Sequence, residues 1–238
     1  LSLYHPAATV GLYGASYKVL EVLIAFPAMF AGLVLPVVTK HYTQQNREQF
    51  QATLQKAFDF LILAALPMVA VLFVLAHPVM TLVAGSQFTE SGSIVRILIF
   101  ATGSIFLGNL FGNTVVAVGA QKKIIPVYAA VAVFSLIGYL ALIPVYGMWA
   151  AAGITVATEL AITIGSFWMV WRVSRAHLSL GHFFRTLLAA LVLALLLWWI
   201  RQFGLAVALI AAAMLTPTLL IVFGALKLQH IRDVFPRP

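Results

Sequence analysis

Long apolar stretches separated by short polar connections make up the pattern of the chain. Seven stretches are long enough for a helix to cross the hydrocarbon core of a bilayer, which takes about 20 residues. We predict spans at about 8–38, 54–84, 94–120, 124–143, 148–171, 185–201 and 204–225. The longest polar connection, 39–53, is too short for a soluble domain. The pattern therefore predicts an all-α fold, a polytopic transmembrane helical bundle of about seven spans.

Composition supports this prediction and excludes other classes of protein. Hydrophobic residues make up 63% of the 238 residues and charged residues 8%, against about 25% charged in a typical soluble domain. A soluble enzyme is therefore excluded. The chain has no cysteine, which excludes disulfides, thiolate metal sites and thiol catalysis.

The 14 Lys and Arg residues are unevenly divided between the two sides of the predicted topology. Positively charged loops stay on the cytoplasmic side, so their location sets the orientation. Arg96 and Arg201 fall on one side, and Lys18 lies within the first span. The other side holds the remaining 11: Lys40, Arg47, Lys56, Lys122, Lys123, Arg172, Arg175, Arg185, Lys227, Arg232 and Arg237.

This distribution predicts a multi-pass protein of the cytoplasmic (inner) membrane, with its N-terminus outside and its C-terminus in the cytoplasm. Tryptophans also favour the membrane interfaces. Trp168 and Trp171 mark the cytoplasmic interface, and Trp149, Trp198 and Trp199 mark the outer one. The net charge of +8 thus fits a membrane surface. We expect membrane lipids as partners, and no nucleic acid.

Ionisable side chains inside the predicted spans are candidates for function, because each costs roughly 2.5–3.5 kcal/mol at mid-bilayer. Lys18 and Glu21 lie three residues apart on one helical face, where they can form an ion pair. Tyr13 and Tyr17 extend that stripe. The stripe is either the wall of a polar cavity that contacts a hydrophilic substrate or a self-neutralised pair with Lys18 directed outward.

The third span carries Asn109 and Asn113 four residues apart, with Arg96 near its outer end. One interpretation is a polar lining with a cation able to meet an anionic headgroup. The other is an asparagine pair that holds helices together, with Arg96 at the membrane interface. The span also repeats a small residue every four positions, which lets helices approach closely: Ser104, Gly108 and Gly112.

Glu159 lies near the middle of the fifth span with no cation within one turn. It is either a proton-coupling carboxyl or a glutamate that bonds to a neighbouring helix.

Enzymatic motifs are absent from the sequence, including the phosphate loop, His-Glu-x-x-His and Gly-x-Ser-x-Gly. No His-x-x-x-His pair occurs either. We therefore expect no catalytic activity, no metal site and no cofactor.

Several segments together resemble a known family. Their order and spacing are similar to those of the polysaccharide (Wzx-type) flippases in the multidrug, oligosaccharidyl-lipid and polysaccharide exporter superfamily. The resemblance covers roughly residues 8–175. It rests on the run Val10–Glu21, on Pro27 and Pro36, on the Gly-x-x-Phe turn at 85–88, on Ala117–Lys122, and on 142–147 leading to Thr155.

The resemblance implies the second lobe of a two-lobe flippase-like fold. Residues 1–175 would be a partial second transport lobe of five spans, and residues 176–238 two additional C-terminal spans and a cytoplasmic tail. The expected partners are a lipid-linked oligosaccharide, membrane lipids and a missing N-terminal lobe of the same protein, since the chain starts without Met and would match from the family's eighth helix.

The function implied is a membrane carrier that translocates an undecaprenyl-diphosphate-linked oligosaccharide by alternating access. Three other functions remain open: a cation-coupled multidrug exporter with Glu159 or Glu21 as the coupling carboxyl, a seven-helix receptor, and a structural membrane subunit. For the carrier, the polar positions inside the spans are the expected substrate-binding residues: Tyr17, Lys18, Glu21, Arg96, Asn109, Asn113 and Glu159.

Overall fold

Helices account for nearly all of the computed structural model, which describes residues 1–226. Within that part, six helices are long and apolar enough to cross a membrane, and no strand occurs. The predicted all-α, polytopic fold is confirmed. The helices are α1 (Ala7–Thr43), α2 (Arg47–Ala84), α3 (Ser91–Ala117), α4 (Gln121–Ser174), α5 (Gly181–Ile200) and α6 (Leu205–Val222), with short 3₁₀ turns at Ser86–Phe88 and Arg201–Phe203.

The seven predicted spans become six helices because the fourth and fifth both belong to α4. Gly147 breaks α4 with φ 55° and ψ −131°, a conformation that glycine adopts readily because it has no Cβ. After the bend the chain runs back beside itself, since Tyr139 Oη lies 3.0 Å from Thr155 Oγ1. We call 121–146 the first arm and 148–174 the second arm. Each exceeds the roughly 20 residues of one crossing.

Helix α3 packs against three other helices, α1, α2 and α4. Its stripe of small residues makes the contact with the second arm of α4. A Cβ at Gly108 would lie 2.9 Å from Thr163 Oγ1, and that hydroxyl donates a hydrogen bond of 3.0 Å to the Ser104 carbonyl oxygen. The predicted close packing along this stripe is confirmed.

The buried core has two main parts. The larger part lies between α2, α3 and the second arm of α4, where Phe58, Leu61 and Phe111 are buried. The second part lies between α2, α5 and α6, around Leu75 and Leu193. Helix α5 packs on α2, and α6 packs mainly on α5. The two C-terminal helices therefore extend the bundle on the α2 side.

One end of the bundle collects the connections α1–α2 and α4–α5. Arg47 Nη2 donates 3.1 Å to the Arg175 carbonyl oxygen, and Gln51 Nε2 donates 3.0 Å to that of His177. We call this the basic end, because eight of the predicted cytoplasmic residues belong to the helix ends and loops there: Lys40, Arg47, Lys56, Lys122, Lys123, Arg172, Arg175 and Arg185. Lys227, Arg232 and Arg237 lie outside the described residues.

Candidate functional site

Polar side chains from α1 and both arms of α4 meet on one side of the bundle, where they are partly exposed. Five residues form this group, which we call the tyrosine cluster: Tyr13 and Tyr17 on α1, Tyr139 on the first arm, and Thr155 and Glu159 on the second arm. The spacing of four residues puts Tyr13 above Tyr17 and Thr155 above Glu159 on their helices. The cluster therefore forms two short polar columns that face each other.

Thr155 connects the three helical segments of the cluster. Its hydroxyl lies 3.0 Å from Tyr139 Oη and 3.4 Å from Tyr13 Oη, and it donates to the Ala151 carbonyl oxygen at 2.9 Å. A threonine hydroxyl has one proton and two lone pairs. Because that proton is used on Ala151, both tyrosines donate to Thr155. Within residues 1–226, the lone pairs of the two tyrosine hydroxyls therefore stay open to an outside donor.

The length of the second arm predicts that the cluster lies at membrane depth. Thr155 and Glu159 follow the Gly147 bend by eight and twelve residues, which correspond to about 12 and 18 Å along a helix. The hydrocarbon core of a bilayer is roughly 30 Å thick. With the bend at one membrane surface, Glu159 lies near the middle of the core.

Glu159 is half-buried and lies within electrostatic range of the Tyr17 hydroxyl. Tyr17 in turn stacks on Tyr13, with 6.2 Å between the ring centroids. Among residues 1–226, no cationic group lies within salt-bridge distance of the Glu159 carboxylate. The neighbouring Thr158 Oγ1 is buried without a hydrogen-bond partner in the same part of the chain. Thr158 and Glu159 therefore have hydrogen-bonding capacity that residues 1–226 leave unused.

Lys18 and Glu21 form the ion pair that their spacing predicts, with 2.7 Å between Nζ and Oε2. Their side chains are 78% and 46% exposed, so the pair lies on the outer surface of α1 as the structure presents it. The pair follows Tyr17 on the same helix. Whether it contacts a substrate stays a prediction.

Asn109 and Asn113 do not bond across helices in the described part of the chain. Each Nδ2 donates to the carbonyl oxygen one turn earlier on α3, at 3.0 Å to Ile105 and 2.8 Å to Asn109. Both side chains are half-buried. Their amide oxygens have no recorded protein donor within residues 1–226, so the asparagines neither join helices by hydrogen bonds nor belong to the tyrosine cluster.

Arg96 is held on another side of α3. Its Nε donates 3.0 Å to the Phe73 carbonyl oxygen on α2, and its guanidinium lies 6.0 Å from the centroid of the Trp198 ring on α5. Of the seven predicted site residues, the structure thus brings together Tyr17 and Glu159, with Lys18 and Glu21 on the same helix as Tyr17. It places Arg96 apart from them.

Sequence reasoning missed Tyr139 as a member of the cluster. The signal that finds it is symmetry about the bend, because residues equally far before and after Gly147 face each other. Tyr139 and Thr155 are each eight residues from Gly147, and Tyr128 and Ser166, which lie 2.9 Å apart, are each nineteen. A polar residue on one arm therefore predicts its partner on the other arm.

The cluster offers hydrogen bonds, aromatic faces and one carboxyl group. These groups suit the binding of a hydroxyl-rich molecule. Among the described residues, no group of three His, Cys, Asp or Glu side chains is placed to hold a metal ion.

Part of the chain resembles a known family. Residues 3–93 match the model of a family described as "Polysaccharide biosynthesis protein". No curated protein matches the chain. The matched segment contains α1, α2 and the start of α3, and so includes Tyr13 and Tyr17. The first part of the chain is therefore similar to a membrane protein family of polysaccharide synthesis.

Proposed function

We propose that the chain is part of a membrane carrier that moves an undecaprenyl-diphosphate-linked oligosaccharide across the cytoplasmic membrane by alternating access. The observation that carries the proposal is the tyrosine cluster, a group of hydrogen-bonding side chains at membrane depth with unused capacity. Polar groups in that position are costly unless they bond to protein, water or substrate. The match of residues 3–93 to a polysaccharide biosynthesis family supports an oligosaccharide as the substrate class.

The cluster acts by binding sugar rings without covalent chemistry. The open lone pairs of Tyr13 and Tyr139 and the hydroxyl of Tyr17 form hydrogen bonds with sugar hydroxyls, and the Glu159 carboxylate accepts more. The stacked rings of Tyr13 and Tyr17 provide an apolar surface for the C–H face of a sugar. The lipid tail stays in the bilayer throughout. The carrier is thus not an enzyme and needs no cofactor.

A second lobe completes the carrier in this proposal. Helix α1 exposes large apolar side chains along its length, and the first arm of α4 does the same. We propose that the missing N-terminal lobe packs across this side of the molecule and closes the path that contains the tyrosine cluster. The exposed residues of α1 are Val22, Phe26, Met29, Leu33 and Val37.

The test of the carrier compares two cluster variants with a matched tyrosine variant in cells that make the polysaccharide. Tyr17→Phe and Glu159→Gln each remove bonding capacity and keep the side-chain shape. We expect severalfold less surface polysaccharide at unchanged protein abundance, because each lost bond weakens sugar binding by about 1 kcal/mol or more. Tyr146→Phe, on an exposed side chain next to the bend, leaves the polysaccharide unchanged. Normal polysaccharide in both cluster variants would refute the proposal.

A second function, an exporter driven by a cation gradient, is favoured by one observation. Glu159 is a carboxyl at membrane depth with no cationic partner in the described residues, as a proton-coupling group would be. The same two variants separate the functions. In a coupled exporter Glu159→Gln abolishes transport while Tyr17→Phe has little effect, whereas in the oligosaccharide carrier both reduce it.

A further inference from the structure

Two arginines from different parts of the chain meet at the end of the bundle opposite the basic end. Arg96 lies in the second turn of α3, and Arg201 lies in the 3₁₀ turn after α5. The guanidinium carbon of Arg201 lies 3.6 Å from the centroid of the Trp198 ring, and that of Arg96 lies 6.0 Å from the same centroid. The fold thus gathers two positive charges around one aromatic ring.

No acidic side chain balances these charges in the described part of the chain. Neither arginine has a carboxylate within 4.0 Å among residues 1–226. Away from the basic end, the same part of the chain has one other Lys or Arg, Lys18, and it is paired with Glu21. Two like charges that lie around the same ring repel each other. An anion that contacts both relieves the repulsion and gains charge-assisted hydrogen bonds.

The geometry leaves donors free for such an anion. A guanidinium has five N–H donors, and Arg96 uses its Nε on the Phe73 carbonyl oxygen at 3.0 Å. That bond orients the guanidinium, and its two Nη groups make no hydrogen bond to the other residues of 1–226. Arg96 also lies 6.0 Å from the Phe73 ring centroid. The site is therefore partly organised before any anion binds.

Aromatic side chains around the two arginines indicate the depth of the site in the membrane. Trp198, Trp199 and Phe203 surround Arg201 in the chain and are 51%, 69% and 60% exposed. Exposed tryptophans at a helix end are typical of the headgroup region of a bilayer. The anions concentrated at that level are lipid phosphates, and the exposed rings suit the glycerol and upper acyl groups of the same lipid.

We propose that Arg96 and Arg201 bind the phosphate of an anionic glycerophospholipid, with Trp198 packed against the lipid between them. The site does not depend on the proposed transport function, since Arg96 contacts α2 and α5 whereas the tyrosine cluster belongs to α1 and α4. The bound lipid joins α3 to the turn between α5 and α6.

The test measures lipid retention by the purified full chain in a neutral detergent, using native mass spectrometry. Phosphatidylglycerol, phosphatidylcholine and inorganic phosphate are added separately. We expect the wild type to retain phosphatidylglycerol best, and the Arg96→Gln/Arg201→Gln variant to retain it about tenfold less, as expected for the loss of a charge-assisted bond. Lys122→Gln/Lys123→Gln removes two charges at the basic end and serves as the matched control.

Three results would overturn the proposal. They are equal retention by the double variant and the control, equal retention of phosphatidylcholine and phosphatidylglycerol by the wild type, and binding of inorganic phosphate as strong as that of the lipid. If the double variant fails to fold by circular dichroism, Arg201→Gln decides. The Arg201 side chain makes no hydrogen bond within residues 1–226, so its loss leaves the helix packing intact. Unchanged retention by Arg201→Gln would also refute the site.

Discussion

At the scale of single residues, the ion pair of Lys18 and Glu21 allows a structural role to be distinguished from a role in transport. The pair either lines a polar cavity or only neutralises its own charges. Both interpretations are consistent with the 2.7 Å contact, but only the first gives the charges a role in transport. Removing both charges together answers the question, because a pair that exists only to neutralise itself is dispensable as a unit.

We expect Lys18→Met and Glu21→Leu to lower protein abundance when made singly, since each leaves one charge unpaired at a cost of about 2.5–3.5 kcal/mol in the membrane. The double variant Lys18→Met/Glu21→Leu recovers abundance. If the pair lines the transport path, surface polysaccharide per protein molecule stays low in the double variant. Immunoblots and polysaccharide assays measure the two quantities. Recovery of both would assign the pair a purely structural role.

At single positions, the sequence predicted Tyr17 and Glu159 as candidates because a polar group in an apolar span is conspicuous. It did not predict that the two lie within electrostatic range of each other. Their placement depends on how α1 and the α4 hairpin pack around α3, which is a tertiary arrangement with no local signal. Arg96 shows the same limit, because its position on α3 was clear from the sequence while its contacts on α2 and α5 were not.

At the scale of whole helices, close packing of one helix on another depends on glycine. The contact of α2 with α3 is tightest at Gly92, where a Cβ would lie 2.6 Å from the backbone Cα of His77. A backbone atom cannot rotate away as a side chain does. The hydrogen bond of 3.0 Å between His77 Nε2 and Ser93 Oγ fixes the same contact.

Gly92→Ala is therefore expected to destabilise the protein by about 1–3 kcal/mol, as other overpacking changes do. The matched control is Gly153→Ala in the second arm of α4, where a new Cβ meets nothing within 4 Å and alanine favours the helix by about 1 kcal/mol. Thermal unfolding followed by size-exclusion chromatography gives both midpoints. A midpoint for Gly92→Ala equal to that of Gly153→Ala would contradict the packing argument.

The elements themselves were largely predictable, because each span needs about 20 apolar residues and the polar connections are short. The exception is the merging of the fourth and fifth spans. Residues 144–147 lie between the fourth and fifth predicted spans, yet the structure is helical up to Gly147 on both sides, so one glycine makes the whole reversal.

For the whole molecule, orientation follows from charge. Eight of the eleven residues predicted on the cytoplasmic side belong to the basic end, and the other three lie beyond residue 226. The assignment of that end to the cytoplasm is a prediction from the preference of basic loops for that side.

Because the chain has no cysteine, single cysteines test the orientation directly. Gln87 and Gln44 are both exposed and lie at opposite ends of α2. We expect Gln87→Cys to react with an impermeant maleimide in intact cells, and Gln44→Cys to react only after lysis. Labelling of Gln44→Cys in intact cells with protection of Gln87→Cys would reverse the topology.

The Gly147 bend also bears on the order in which the protein is assembled. His5 Nε2 lies 2.8 Å from the Ile143 carbonyl oxygen, and a Cβ at Gly147 would meet the His5 ring at 3.1 Å. Synthesis proceeds from the N-terminus. His5 and Ile143 are 138 residues apart in the chain, so this hydrogen bond cannot form until Ile143 has been synthesised. This contact therefore forms only after the first arm of α4 has been synthesised, and it joins the segment before α1 to the α4 hairpin.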